Sequence, residues 1–297
     1  MMEFISAISN PDYGYLRVAL AAGLLASVAC GIVGSYVVTR RITYIAGSIA
    51  HCVLGGMGAA RYMQIVHGWT WATPLAGAIA TALLAALIIG WVTLRAKERE
   101  DTVIGALWAI GMAVGILFIQ KTPGSSEDLM SYLFGSIVMV RTVDLWILIA
   151  LDTIIIATVA ALYHPLLAVC FDAEFARLRG LSVETYYLLL LCLTALTVVL
   201  LISVVGIVLV IALLTLPVAI AGQFCRTLLS MMLASVAICM FFTVTGLALS
   251  YGPDLPAGAT TIVLAGGAYL LVLGVKKALP VGDAGRKKPG DREDRRA

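Results

Sequence analysis

Long apolar segments, separated by short polar stretches, fill most of this chain of 297 residues. An α-helix needs about 20 apolar residues to cross the hydrocarbon core of a bilayer. The pattern predicts about nine transmembrane helices, at residues 15–38, 46–66, 72–94, 103–120, 143–162, 184–204, 206–224, 228–249 and 258–275. Residues 128–140 fit a loop or a re-entrant segment, and Gly206 divides one apolar run into two spans. The sequence therefore predicts an all-α polytopic membrane protein.

The composition agrees with this class. The chain is 61% hydrophobic and 12% charged, whereas a soluble domain carries about 25% charged residues. We predict one transmembrane domain over residues 1–279, followed by a disordered cytoplasmic tail over 280–297 that is rich in Gly, Asp and Arg. The basic residues of that tail indicate a cytoplasmic face rather than a site for nucleic acid.

The distribution of Lys and Arg predicts an orientation. If Arg40 and Arg41 are placed in the cytoplasm and the spans alternate, 16 of the 20 Lys and Arg residues fall on the cytoplasmic side. Basic residues accumulate in the cytoplasmic loops of membrane proteins. We therefore expect the N-terminus outside and the C-terminus in the cytoplasm.

The second predicted span contains a histidine, His51, in a segment that is otherwise apolar and rich in glycine. A titratable side chain inside a membrane is costly, and such residues commonly mark a transport pathway. Asp152, in the fifth predicted span, is a second candidate by the same argument. Each also has a packing interpretation, because hydrogen bonds between polar side chains of neighbouring helices are common in membranes.

A polar stretch between the fifth and sixth predicted spans is delimited like a short helix. Asp172 can cap its start, and Glu174 lies in the first turn. Arg177 lies in the last turn, and Gly180 can end the helix. The stretch is either an ordinary loop helix or a docking helix, in which Phe175 is the apolar anchor for a cytosolic partner.

Five segments resemble, in order, the motifs of the membrane permeases of bacterial zinc, manganese and iron ABC importers. They are residues 40–44 with 50–51, 128–135, 171–180, 213–221 and 250–259. The resemblance implies a permease fold similar to that of the vitamin B12 importers, in the bacterial cytoplasmic (inner) membrane. It also implies that residues 172–180 form a coupling helix, which seats in a groove of an ATPase.

The resemblance implies a set of partners: a second copy of the permease in a homodimer, two cytosolic ATP-binding subunits and an extracytoplasmic metal-binding protein. The chain lacks the GxxxxGK[ST] phosphate-binding motif. It is therefore expected to be a transport subunit rather than an enzyme, with ATP hydrolysis by a separate subunit. No cofactor is expected to stay bound, and the Zn, Mn or Fe ion is cargo.

The chain departs from the family pattern at one position. In the family an Asp typically precedes the second-helix His by four residues, on the same helix face, and the pair suits a transient Zn²⁺ or Mn²⁺ site. That position is Gly47 here, and the neighbouring Ser48 is a poor substitute. A second His51 across a dimer axis, Asp152, or the polarity of the path alone could replace the carboxylate. The predicted metal pathway therefore consists of His51, Gly47, Ser48 and Asp152.

Two other classes of protein compete with an ATP-driven importer. A proton-coupled secondary metal transporter would use Asp152 and His51 as a proton relay and would work without an ATPase. An intramembrane enzyme is disfavoured, because the spans contain neither an HExxH motif nor paired catalytic acids. The short capped helix favours the importer over the carrier.

Overall fold

The computed structural model describes residues 13–95, 100–123, 140–253 and 255–278. Nearly all of these described residues lie in ten α-helices. They are α1 (Gly14–Thr39), α2 (Thr43–Val66), α3 (Pro74–Arg95), α4 (Glu100–Lys121), α5 (Thr142–Phe171), α6 (Ala173–Leu178), α7 (Val183–Val205), α8 (Ile207–Ala221), α9 (Leu228–Tyr251) and α10 (Ala257–Ala278). The predicted all-α fold is confirmed. The possible re-entrant segment, apart from its last residue, and the tail at 280–297 lie outside the described residues.

Each of the nine predicted spans corresponds to one helix. Seven of the described helices are long and apolar enough to cross a membrane, and α8, with 15 residues, is a shorter apolar helix. The helix α2 has 24 residues but is not among the seven. It contains His51, Arg61 and several glycines, which lower its hydropathy. The position expected to line the pathway therefore lies on the least apolar of the long helices.

The fifth span continues further than the sequence predicted. The prediction ended it at residue 162, but α5 runs to Phe171 through a kink at Leu162, where φ is −114° and ψ is 20°. Pro165 lies inside the helix after this kink. A proline bends a membrane helix without ending it when neighbouring groups satisfy the freed backbone. His164, just before this proline, therefore lies inside α5.

The break near Gly206 is confirmed, and the helix that follows it contains a proline. Gly206 ends α7 and begins α8, with a φ of 84° that favours glycine. Pro217 lies inside α8, which continues to Ala221.

The helices form one bundle with a buried centre. The helices α1 and α7 each contact several neighbours and lie in the middle, while α2, α3 and α4 pack together at one side. The helices α4 and α10 are the least buried of the long helices. The chain reversals place the α1–α2 connection, the end of α3 and the start of α7 beside α6. We call this end of the bundle the α6 end.

Candidate functional site

His51 lies on α2 and faces α4. Its imidazole stacks on the indole of Trp108, with ring centroids 4.3 Å apart and ring planes 16° apart. The ring is half-buried, and its Nδ1 is buried without a hydrogen-bond partner among the described residues. His51 is therefore held by an aromatic contact and keeps hydrogen-bonding or ligand capacity.

Trp108 also covers Gly47, which lies one helical turn before His51 on the same face of α2. A Cβ built at Gly47 would lie 3.6 Å from Cζ3 of Trp108, which is an ordinary van der Waals distance. Tyr44, one turn earlier on the same face, lies with its ring centroid 5.7 Å from that of Trp108. In the family that the sequence resembles, this helix face typically carries an Asp and a His. Here it carries Gly47 and His51, and both lie beside the indole of Trp108.

Sequence reasoning missed Trp108. The signal was a tryptophan inside a predicted span, whereas Trp69 and Trp71 lie between spans, where tryptophan suggests the membrane interface. Its partner could not be inferred, because the contact depends on how α4 packs against α2.

Ser48 and Cys52 point toward the α4 backbone. The Ser48 hydroxyl donates a hydrogen bond of 2.9 Å to the Ile104 carbonyl, and the Cys52 thiol donates to the Leu107 carbonyl at 3.1 Å. Ser48 is fully buried. Its oxygen is engaged in packing two helices together, which gives it a role other than the metal ligand considered above.

Glycines bring α4 onto α2. A Cβ at Gly55 would lie 2.7 Å from the carbonyl oxygen of Gly111, and one at Gly58 would lie 2.7 Å from that of Gly115. Such small residues allow membrane helices to approach closely. This close packing of α4 on α2 places Trp108 level with His51 along the helix axes.

Asp152 lies elsewhere in the bundle. It is 7% exposed on α5, its carboxylate lies against the Ala29 backbone, and Cys30 of α1 is close enough to interact with it electrostatically. Its Oδ2 has no hydrogen-bond partner within the part of the chain that the structure describes. The helices α2 and α5 do not pack closely against each other. Within this chain, Asp152 is therefore not brought together with His51.

A complete metal-binding cluster is not formed by the described residues of one protomer. No three His, Cys, Asp or Glu side chains lie close enough together there to hold an ion. Among these residues, His51 offers one half-buried ring whose Nδ1 has no described hydrogen-bond partner.

The polar stretch after α5 forms the short helix that the sequence predicted. The Asp172 carboxylate accepts a hydrogen bond of 2.9 Å from the Phe175 amide. At the other end Gly180 has a φ of 78°, and the amides of Gly180 and Leu181 donate to the carbonyls of Arg177 and Ala176. This is a Schellman motif, in which glycine is favoured. The helix α6 is therefore capped at both ends.

One face of α6 is buried and the other is exposed. Ala176 is fully buried against Val169 and Val183. Phe175 is 48% exposed and Leu178 is 87% exposed. Glu174 is exposed as well, and the Arg179 guanidinium lies 5.1 Å from the centroid of the Phe175 ring. The helix presents apolar side chains flanked by charges outward from the bundle.

Relatives of known class match almost the whole chain. A probable metal transport system membrane protein of Chlamydia trachomatis is 43% identical over 277 residues, which is 93% of this chain and 94% of that protein. The manganese transport system membrane protein MntC of Halalkalibacterium halodurans is 31% identical over 260 residues, or 88% and 87% of the two chains.

A solved structure shares the architecture. It is that of PsaBC from Streptococcus pneumoniae in complex with Fab, with a TM-score of 0.80, 29% identity, and coverage of 92% of this chain and 95% of that one. The predicted permease fold is thereby confirmed. The pattern of the ABC 3 transport family matches residues 12–276. The chain is a member of the ABC 3 transport family, a permease of the metal-transporting ABC class.

Proposed function

We propose that this protein is the membrane subunit of an ATP-driven importer that moves a divalent transition-metal ion into the cytoplasm. The observation that carries the proposal is α6, a capped helix with an exposed apolar face in a chain of this family. A permease without its own nucleotide-binding motif needs a mechanical contact with the subunit that hydrolyses ATP. The exposed side chains Phe175 and Leu178 are suited to that contact.

The docking interface would be centred on Phe175. A half-exposed aromatic ring flanked by charged groups is typical of a binding anchor. Glu174 and Arg179 lie beside it and would set the register of the partner by charge. Asp172 and Gly180 hold the helix in shape, so their contribution is to position the anchor.

The metal path would pass His51. A half-buried imidazole with a nitrogen free of hydrogen bonds is a suitable transient ligand. A conduit must bind its ion weakly enough to release it, so an incomplete ligand set in one protomer is compatible with transport. A homodimer would add a second His51 and is part of the proposal.

The donor set bears on the choice among manganese, zinc and iron. Imidazole suits zinc and iron, whereas carboxylate oxygens suit manganese. Gly47 removes the carboxylate that the resembled family carries. The name of the MntC relative indicates manganese, and the missing oxygen ligand favours zinc or iron in this chain. Uptake of manganese, zinc and iron should therefore be measured in parallel.

The remaining partners and the orientation belong to the same proposal. The α6 end would face the cytoplasm, in agreement with the arginines at the α1–α2 connection and with Lys276 and Lys277 at the end of α10. The opposite end, where Trp69 and Trp71 stack with centroids 5.4 Å apart, would face an extracytoplasmic metal-binding protein. The membrane would be the bacterial inner membrane.

The test is metal uptake by proteoliposomes that contain the permease and its ATPase. We expect uptake to require ATP and to fall strongly in Phe175→Ala. The matched control is Leu270→Ala, an exposed apolar residue on α10 that is 67% exposed. If Phe175→Ala keeps both ATPase binding and uptake, the docking role of α6 is wrong.

The competing proton-coupled carrier is tested with the permease alone. A pH gradient across the vesicle would drive uptake without ATPase in a carrier, and substitution of Asp152 would stop it. We expect no gradient-driven uptake from the permease alone, because Asp152 and His51 lie on helices that do not pack closely together.

A further inference from the structure

A basic pocket lies at the α6 end, on the side of α6 opposite the Phe175 ring. Its volume is about 330 Å³, within the about 300–1,000 Å³ range of small-ligand pockets. The cytoplasm-proximal ends of α1, α2, α3, α4 and α7 form its walls with α6. Three arginines from two separate elements converge on it: Arg40, Arg41 and Arg177.

These arginines lack acidic partners among the described residues. The ion pairs of the described part of the chain join Arg95 to Glu184 and Arg141 to Asp144. The Arg40 guanidinium lies 5.8 Å from the centroid of the Tyr187 ring, a cation–π contact that leaves its charge uncompensated. Three converging guanidinium groups create a positive potential that attracts an anion.

The backbone at Arg41 gives a second, independent indication. Arg41 has a φ of 62°, in the left-handed region, directly after α1. Its amide donates to the Val38 carbonyl and the Ile42 amide donates to the Val37 carbonyl, which is a Schellman motif. Glycine is the favoured residue there, and an arginine costs about 1 kcal/mol or more. Arg41 thus combines a left-handed backbone with a place in the pocket lining, and such strain motivates the hypothesis of a function.

The rest of the pocket lining is less charged. Thr93 lines the pocket, and its Oγ1 is buried without a hydrogen bond to the described residues. Several residues of the pocket walls are apolar and buried, namely Ile42, Ile45 and Ile104. The pocket thus combines a cationic rim with apolar walls, which suits a phosphate group attached to an apolar body.

We propose that this pocket binds the phosphate headgroup of an acidic phospholipid from the cytoplasmic leaflet. The inference rests on the orientation given under the proposed function. The lipid would bridge Arg177 on α6 to Arg41 at the start of α2. It would thereby connect the helix that docks the ATPase to the helix that carries His51.

The shape of α6 distinguishes a lipid from a segment of the ATPase. Ala173 and Arg177 line the basic pocket, whereas Phe175 lines a different groove with Phe171 and Arg226. The basic pocket and the groove at Phe175 therefore lie on different sides of α6. The pocket is bounded by helix ends and by Ile104 of α4, a helix that is poorly buried in the bundle. In the proposed orientation these helix ends would lie near the lipid headgroups.

The test measures lipid binding to the purified permease in detergent by native mass spectrometry. Phosphatidylglycerol is the probe and phosphatidylcholine is the neutral reference. We expect phosphatidylglycerol to bind at least about tenfold more tightly than phosphatidylcholine, and Arg41→Gly and Arg177→Gln each to weaken its binding about tenfold. Because transport is not measured, failure of this test is separate from failure of the importer proposal.

Arg41→Gly is the sharpest variant. It removes the guanidinium and relieves the left-handed strain, so we expect its unfolding midpoint to be unchanged or higher while lipid binding falls. Lys277→Ala is the matched control, since it removes an exposed basic residue at the end of α10, outside the pocket. Its binding of phosphatidylglycerol should equal that of the unaltered protein.

Three results would overturn the proposal. The first is equal binding of the two lipids, or unchanged binding in Arg41→Gly. The second is displacement of the lipid by inorganic phosphate at comparable affinity, which would identify a soluble anion site. The third is loss of ATPase binding by Arg41→Gly in detergent without added lipid, which would identify a protein-docking pocket.

Discussion

The imidazole of His51 lies parallel to the indole of Trp108, with the ring centroids 4.3 Å apart. The two rings belong to α2 and α4, which are brought together by facing glycines. A stacked indole restricts the imidazole to one orientation without using either of its nitrogens. Trp108 is therefore a positioning residue for the proposed metal ligand.

Trp108→Ala should reduce metal uptake because the imidazole loses its support. Aromatic contacts of this kind contribute about 0.5–1.5 kcal/mol, so we expect uptake efficiency to fall about threefold to tenfold, mainly through a higher KM for the metal. Trp108→Phe keeps a ring and should recover part of the loss. Initial rates over a range of metal concentrations distinguish the two variants. An unchanged KM in Trp108→Ala would remove Trp108 from the pathway.

Gly47→Asp should shift metal preference toward manganese. The side chain has room, because a Cβ at this position would only touch Trp108 at an ordinary distance. The added carboxylate supplies the oxygen ligand that manganese prefers and lies one helical turn from His51. Uptake of manganese and zinc is measured in parallel for both proteins. A ratio that does not change would contradict the assignment of this helix face to the pathway.

Asp172→Ala should loosen α6 and weaken ATPase docking. The carboxylate caps the Phe175 amide at 2.9 Å, and loss of such a cap costs about 1 kcal/mol. The ATPase affinity should fall about fivefold, with no change in the thermal stability of the bundle. Asp172→Asn retains a capping oxygen and should bind the ATPase almost normally. Equal weakening by both variants would mean that the charge, rather than the cap, is recognised.

Gly111→Ala should destabilise the packing of α4 on α2. Its Cβ would lie 2.7 Å from the Cα of Cys52, a backbone atom that cannot move aside easily. Overpacking of this kind costs about 1–3 kcal/mol. Gly267→Ala is the control, since no atom lies within 4 Å of its Cβ and alanine is the better helix former. Unfolding in a denaturing detergent should be easier for the first variant and no easier for the second.

The helices could be predicted from the sequence because length and apolar composition decide which segments enter a membrane. The ends of α6 were predictable for a different reason, since Asp172 and Gly180 act locally. The end of α5 was not, because the effect of Pro165 depends on the neighbouring helices. A proline next to a histidine looks like the start of a loop, and here it lies within a kinked helix.

The surroundings of the candidate residues could not be predicted. His51 was identifiable as a polar residue in an apolar span, but its partner Trp108 is set by helix packing. The same limit applies to Asp152, which packs against α1 and not beside His51. The left-handed backbone of Arg41 could not be predicted either, because glycine is the residue that indicates this conformation in a sequence.

The most direct measurement is ATP-dependent metal uptake by the reconstituted permease and ATPase, comparing His51→Ala with His67→Ala. His67 lies at the opposite end of α2, next to Trp69 with ring centroids 6.1 Å apart, and serves as the control histidine. We expect His51→Ala to lower uptake about tenfold or more, in line with loss of a metal ligand. ATPase binding by His51→Ala and uptake by His67→Ala should stay unchanged. Full uptake by His51→Ala would contradict a metal path along α2.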